Sequence, residues 1–399
     1  MEALAFIHRH RETLTILSID AFTTDELFEV VAGCQNLEEL QLHNIRLTRS
    51  NQWRIFCGTL WPRLKKIDIE GPWLIRKENE KELVPSSSNI TPDITPETEE
   101  RPGQAAEAVE AMATSRIQDL VINNSGALSF EILQNHLQLI QQCPDLTRLV
   151  WFANKWGSRT GPMHLLADAI RSGYCWKRLE SLKTHLQQFL AEDFLTVMEG
   201  INRLTELDIR GSDINPETWA RMRVLAPHHW NTIRVLNRKG CYMLMWKGSI
   251  VQDIMCSMPS LIVFDCGVPF SEHDIEKDDR PWVCLGLTDL AMALSLQNLK
   301  SQSKVVARIV GLVHLERFVC LSPEGGHRGH SPRFTLNKGL DQLKSLRLRE
   351  FGYWSTFSAD IWGRPEALWV LKYWPELKML VGVKLNTKAK HQLRHLITT

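Results

Sequence analysis

Six residues in the middle and near the end of the 399-residue sequence could form a surface that binds another protein. They combine arginines with two apolar side chains and one carboxylate, and are Val150, Phe152, Asp208, Arg210, Arg347 and Arg349. Aromatic and arginine side chains are enriched at protein interfaces, because they offer large contact areas and directional charged donors. We predict a partner-binding surface here; a mixed polar surface that binds nothing is the alternative.

No residue pattern in the sequence is typical of a catalytic, cofactor or metal site. Gly-x-Ser-x-Gly, Gly-x-x-x-x-Gly-Lys and Gly-x-Gly-x-x-Gly are all absent. His327 and His330 share one loop, but no cysteine or carboxylate stands near them at zinc spacing. We therefore predict that the chain is not an enzyme and uses neither a cofactor nor a metal ion.

The composition of the sequence indicates which classes of partner the chain could bind and in which cell compartment it would occur. The net charge is +1, so no overall basic field would attract nucleic acid. No apolar run approaches the roughly 18 residues of a membrane span, and charges interrupt the N-terminal segment where a signal peptide would be apolar. The nine cysteines include no Cys-x-x-Cys pair, which favours reduced thiols. We expect a cytoplasmic or nuclear monomer that binds neither nucleic acid nor membrane.

The segments that carry the six residues belong to a recurring motif. CPDLTRLVWF, residues 143–152, has the spacing Leu-x-x-Leu-x-apolar, and thirteen segments repeat it. Their first apolar residues are Leu14, Leu37, Leu64, Ile117, Leu146, Leu179, Leu204, Ile233, Leu261, Leu287, Leu315, Leu343 and Leu377. Apart from one gap of 53 residues, successive copies lie 23 to 34 residues apart, near the leucine-rich-repeat period of about 20–29.

Between these segments the apolar period changes from that of a strand to that of a helix. Phe130, Leu133, Leu137 and Ile140 fall on one helical face, and Asn215 can cap a helix that starts at the next residue. The alternation predicts an α/β fold, a leucine-rich-repeat solenoid of about 13 repeats in one domain, 1–399. Parallel strands would line the concave face of a horseshoe, with helices on its convex face.

This fold would position the six candidate residues. In Leu-x-x-Leu-x-Leu the residues between the leucines point to the solvent side of the sheet, which is the concave face. Four tryptophans stand just before strands and are predicted to pack between repeats: Trp61, Trp176, Trp230 and Trp374.

Three segments depart from the repeats. Residues 77–104 are rich in Pro, Ser, Thr and Glu and are predicted to be a disordered insertion in one repeat. Residues 322–332 are predicted to be a flexible loop. Residues 385–399 would form a C-terminal cap, with Leu385, Leu393 and Leu396 covering the last repeat.

Three features of the sequence point to a known family: the Cys-Pro-x-Leu-x-x-Leu strands, the period of about 28 residues and the segment RPWVCLGLTDLAMAL at 280–294. In these features the sequence resembles the F-box/leucine-rich-repeat (RNI-like) proteins of early-diverging fungi. FIHRHRETLTILSI, QLKSLRL and ELKMLVG resemble that group as well, so the likeness covers nearly all of the chain outside 77–104. The resemblance implies a substrate-recognition subunit of an SCF-type ubiquitin ligase, in which an F-box docks the adaptor and the repeats hold the protein to be ubiquitinated.

The sequence departs from that family at its start, because only MEALAFIHRHRET precedes the first repeat and no F-box is recognisable. We expect a cullin–RING ligase adaptor as a partner only if an F-box lies upstream. The alternative is a stand-alone leucine-rich-repeat binder or inhibitor without a ligase role. A GTPase-activating protein of this repeat class would need a catalytic arginine or asparagine on a rim loop, and the sequence singles out none.

Overall fold

The structure is a computed structural model that describes most of the repeats. The described residues are 2–23, 25–45, 61–70, 116–124, 130–153, 161–184, 190–210, 214–238, 248–296, 299–321, 334–353 and 361–396. The predicted insertion 77–104 and the predicted loop 322–332 lie outside these ranges.

Thirteen strands occur in the described residues and follow one another in chain order in one sheet. They are β1 (Ile16–Thr23), β2 (Glu39–Ile45), β3 (Lys66–Glu70), β4 (Asp119–Asn124), β5 (Arg148–Ala153), β6 (Ser181–Lys183), β7 (Glu206–Asp208), β8 (Val235–Arg238), β9 (Val263–Phe270), β10 (Asp289–Leu294), β11 (Arg317–Leu321), β12 (Glu350–Tyr353) and β13 (Met379–Val381).

Helices alternate with the strands. Those described are α1 (Glu2–His10), α2 (Asp25–Ala32), α3 (Phe130–Gln141), α4 (Pro162–Arg171), α5 (Ala191–Gly200), α6 (Pro216–Leu225), α7 (His229–Thr232), α8 (Gly248–Ser257), α9 (Glu272–Lys277), α10 (Leu299–Val310), α11 (Arg364–Tyr373) and α12 (Thr387–Leu393). Two 3₁₀ turns, Leu336–Lys338 and Leu340–Ser345, precede β12. None of the described helices combines the length and the apolar character that crossing a membrane requires.

The chain divides into two compact units, Met1–Leu149 and Val150–Thr399. In the first unit β1 to β4 pair in parallel with their sequence neighbours. In the second unit β6 to β13 do the same. The prediction of a single domain over 1–399 therefore stays a prediction.

The repeated apolar positions form the core. Leu14 is half-buried, and the other twelve first apolar residues are buried, including Ile233 and Leu287, which match the motif least well. A parallel strand that buries one row of side chains, followed by a helix and repeated in chain order, defines a leucine-rich-repeat solenoid. The predicted fold class is confirmed.

Details of the helices mostly follow the sequence prediction. The Asn215 side chain accepts a hydrogen bond from the backbone N–H of Thr218 at 2.7 Å and so caps α6. In α3, Leu133, Leu137 and Ile140 are buried as predicted, whereas Phe130, the first residue of the helix, is 45% exposed. Near the C-terminus Leu393 and Leu396 are buried and Leu385 is half-buried.

The prediction for one repeat was wrong in register. The segment starting at Leu343 is not a strand, because Leu340–Ser345 forms a 3₁₀ turn and β12 begins at Glu350. The repeat instead runs Leu348-x-x-Phe351-x-Tyr353, with all three of these side chains buried. Aromatic packing favours this register, since Phe351 contacts Phe318, Phe334, Trp362 and Trp374 at centroid distances of 5.2 to 6.0 Å.

The four tryptophans that precede strands are buried, as predicted. Trp61 Nε1 donates to the carbonyl oxygen of Val31 at 3.1 Å, and Trp374 Nε1 donates to that of Leu343 at 3.3 Å. Each of these hydrogen bonds links the turn that contains the tryptophan to a segment about thirty residues earlier in the chain.

Removing a core leucine should destabilise the second unit strongly. Leu290 of β10 is 0% exposed, so we expect Leu290→Ala to lower the free energy of unfolding by about 2–5 kcal/mol. The matched control is Leu285→Ala, because Leu285 is 55% exposed; its effect should stay within about 0.5 kcal/mol. Urea unfolding followed by circular dichroism measures both, and equal effects would contradict the assigned core.

Acid should destabilise the second unit through a buried histidine. Burial lowers the pKa of His229 to about 4, and its Nε2 lies 2.7 Å from the carbonyl oxygen of Met198. The unfolded chain, with a histidine pKa of about 6.5, binds the proton more readily, so stability present above pH 6.5 is lost as the pH falls towards 4.

His229→Gln, which can still donate to Met198, should remove up to about 3 kcal/mol of this pH dependence. Urea midpoints at neutral and acid pH, compared between the variant and the wild type, test this, because other titrating groups are common to both. Identical pH slopes would show that His229 does not contribute.

Candidate functional site

The parallel register places equivalent side chains of the second unit in rows on the solvent side of the sheet. One row runs Ser181, Glu206, Val235, Val263, Asp289, Arg317, Glu350 and Met379, each a Cα partner of the next. A second row begins with Lys183, Asp208 and Asn237. We call these side chains the sheet face.

Three of the six predicted residues, Val150, Phe152 and Asp208, belong to strands β5 and β7, and Arg210 lies two residues after the end of β7. Phe152 and Arg210 are partly exposed. Val150 and Asp208 are only 4% and 3% exposed, so the prediction that both are accessible to solvent was wrong, although Asp208 belongs to the second row of the sheet face. For Asp208 the reason is its neighbour: Arg210 Nη2 lies 2.8 Å from Asp208 Oδ2, and Arg210 Nε donates to both carboxylate oxygens.

Arg210 is therefore committed to an intramolecular pair. A guanidinium that already binds a carboxylate at two positions has few donors left for a partner protein. Phe152 keeps the geometry of a partner contact, since it is a partly exposed aromatic side chain at the end of a strand.

The sheet face carries a charged cluster that the sequence prediction missed. Arg317 lies between two carboxylates, with Nη1 2.7 Å from Asp289 Oδ1 and Nε 2.9 Å from Glu350 Oε1. Burial raises the pKa of the Asp289 carboxyl above its ordinary value, although the hydrogen bond from Arg317 acts in the opposite direction. One guanidinium thus holds three adjacent strands of the second unit together.

A similar arrangement occurs in the first unit. Glu39, Lys66 and Asp119 are successive Cα partners, and Arg148 Nη1 donates to both oxygens of Asp119 at 2.7 and 3.0 Å. Lys66 Nζ lies 3.3 Å from Glu39 Oε2. The charges therefore alternate in sign from strand to strand, which is the favourable order for cross-strand neighbours.

The sequence contained a signal for these pairs. The paired charged residues share the third position of Leu-x-x-Leu, directly before the second apolar residue. They are Glu39, Lys66, Asp119, Arg148, Asp289 and Arg317. Reading that single column down the repeats, instead of the residues flanking each strand, would have identified them.

Arg347 and Arg349 do not lie on a strand, because β12 begins at Glu350. They line a cleft of about 570 Å³ at the edge where strands β11 to β13 begin. Its lining residues are Val313, His314, Leu315, Glu316, Ser345, Arg347, Arg349 and Glu376. We call this the entry cleft.

The charges of the entry cleft are unevenly paired. Arg349 Nη1 lies 3.2 Å from Glu316 Oε2, and its Nε lies 3.7 Å from Glu376 Oε2. Arg347 is exposed and forms neither a hydrogen bond nor an ion pair within the described part of the chain. The cleft therefore combines one neutralised arginine with one that is available to bind a ligand.

The described ranges were also compared with the requirements of a metal site and of a disulfide bond. They contain no group of three or more His, Cys, Asp or Glu side chains arranged to hold a metal ion. Seven cysteines are described, all of them free thiols, and only Cys175 among these is exposed.

Comparison with known proteins adds a likeness of fold. No protein-family model matches the chain, and no curated protein matches it. A leucine-rich-repeat protein of Leptospira interrogans is similar with a TM-score of 0.43 and 12% identity, covering 99% of this chain and 98% of that one. The structure of TLR13 in complex with a single-stranded RNA is similar with a TM-score of 0.46 and 13% identity, covering 96% of this chain and 49% of that one.

This chain thus spans about half the length of the TLR13 chain. At these TM-scores and identities the fold assignment rests on the strand pairing and repeats described above. Neither comparison bears on an F-box or on a fungal family.

Removing the shared guanidinium should destabilise the second unit. Arg317→Met would leave Asp289 and Glu350 without the cation that they share, at a cost of about 1–3 kcal/mol near neutral pH. The loss should shrink as the pH falls, because burial raises the pKa of Asp289 and protonation of this carboxyl removes a charge that Arg317 neutralises. Arg223→Met, which removes an exposed ion pair with Asp253, is the control and should cost less than about 1 kcal/mol. A loss that does not change with pH would contradict this account.

Proposed function

We propose that the chain is a non-enzymatic scaffold that binds another protein. The carrying observation is that charged and aromatic side chains of the second unit, with Phe152 and Arg317 as examples, are partly exposed along its strands. A repeated strand array offers a binding surface larger than a single loop could, because every repeat adds side chains in register.

We propose further that the bound protein is a substrate of an SCF-type ubiquitin ligase. The support is the sequence resemblance to F-box/leucine-rich-repeat proteins, which extends over nearly all of the chain outside 77–104. In this role the chain would act as a monomer in the cytoplasm or nucleus, and a cullin–RING adaptor would join it through an F-box. A stand-alone binder or inhibitor is the alternative, since it requires the same binding surface and no adaptor.

Binding of a protein partner should depend on the partly exposed side chains along the strands of the second unit. We expect Phe152→Ala to weaken capture of the native partner by about tenfold, because exposed aromatic side chains contribute strongly to the binding energy of interfaces. The measurement is quantitative mass spectrometry of proteins co-purified with the tagged full chain. Val224→Ala, an exposed apolar residue on helix α6, is the matched control. Unchanged capture by the Phe152→Ala variant would exclude this surface.

The ligase role and the alternative differ in two measurements. A substrate-recognition subunit should co-purify with a cullin and its adaptor, and its deletion should lengthen the half-life of the captured partner. A stand-alone binder should co-purify with the partner alone and leave that half-life unchanged. Co-purification with the partner alone, together with an unchanged half-life of the partner, would contradict the ligase proposal but not the scaffold proposal.

A further inference from the structure

The entry cleft has the dimensions of a ligand site but not the lining of a small-molecule pocket. Its volume of about 570 Å³ falls within the roughly 300–1,000 Å³ range of such pockets. Small-molecule pockets are enclosed and mainly apolar. Here the lining side chains of His314, Ser345 and Arg347 are exposed, so the site suits a short segment of another protein.

We infer that the entry cleft binds a segment of a partner protein in which a side-chain carboxylate stands next to an apolar residue. This inference rests on the proposed scaffold function and names the chemistry of the segment. The carboxylate would accept two parallel hydrogen bonds from the guanidinium of Arg347, which is free of any described carboxylate.

The glutamates of the cleft favour a single negative charge on the partner. Glu316 and Glu376 both face Arg349, so only Arg347 offers an uncompensated positive charge. A phosphate dianion is usually bound by several unpaired arginines and would be repelled by these two carboxylates. Nucleic acid, which needs several phosphate contacts at once, is disfavoured for the same reason.

The apolar part of the segment has a surface to contact. Val313 lines the cleft and is 65% exposed. Leu285 occupies the equivalent turn position of the preceding repeat, two residues before the first leucine, and is also exposed. Leu285 does not line the cleft, but its position in the neighbouring repeat places a second exposed apolar side chain at the same edge of the sheet.

The test uses the full chain and a library of random dodecapeptides displayed on phage. The expected result is enrichment of peptides in which Asp or Glu adjoins an aliphatic or aromatic residue. Selection of no peptide, or of peptides without an acidic residue, would overturn the inference.

Synthetic copies of the selected peptides then locate the site by fluorescence anisotropy. We expect Arg347→Glu to weaken binding by about tenfold or more, and Arg347→Lys by less, because lysine keeps the charge but loses the two-pronged contact. The matched control is Arg203→Glu, since Arg203 is exposed and also directly precedes the first leucine of its repeat. Equal binding to Arg347→Glu and wild type would overturn the cleft assignment, while leaving a scaffold that binds peptides elsewhere.

A peptide in which phosphoserine replaces the acidic residue tests whether the cleft prefers a carboxylate or a phosphate. The wild type should bind the phosphorylated peptide no more tightly than the parent, whereas Glu316→Gln with Glu376→Gln should bind it more tightly because Arg349 is released. Tighter binding of phosphoserine by the wild type would overturn the assignment to a carboxylate.

Failure of the chain to capture any protein partner would count against the scaffold proposal itself, and is measured separately by co-purification.

Discussion

Parallel, in-register pairing of each strand with the next is the constraint on which the rest of the structure depends. The backbone N–H and C=O groups of a buried strand must find partners, and in each unit the neighbouring repeat supplies them. Once Asp289 pairs with Arg317, the residues on either side of them are aligned as well. Every position of the repeat therefore becomes a row across the sheet.

This alignment restricts which side chains the inward rows can hold and in what order charges can follow one another in the outward rows. Inward rows admit only apolar residues, because their members are covered by helices and by one another. Outward rows tolerate charge, but each charge lies close to the same position of the next repeat. Alternation of Glu39, Lys66 and Asp119 satisfies this requirement in the first unit, and Asp289, Arg317 and Glu350 satisfy it in the second.

The periodicity of leucines was sufficient to predict the fold class and twelve of the thirteen strands, because burial of a repeated apolar row leaves a strong sequence signal. It failed at Leu343, where two overlapping segments have the same spacing and only the aromatic contacts of Phe351 distinguish them. The burial of Asp208 was not predictable either, since it depends on a guanidinium two residues later. Spacing identifies which residues are apolar, but partners within a row are set by tertiary contacts.

The double engagement of Arg317 also bears on how such an array could change in evolution. Excising the single repeat that contains β11 would bring the acidic residues of β10 and β12 side by side without a cation between them. Loss or duplication of two consecutive repeats would preserve the order of signs. In this part of the chain the alternating charges of the outward row therefore favour the gain or loss of repeats in pairs.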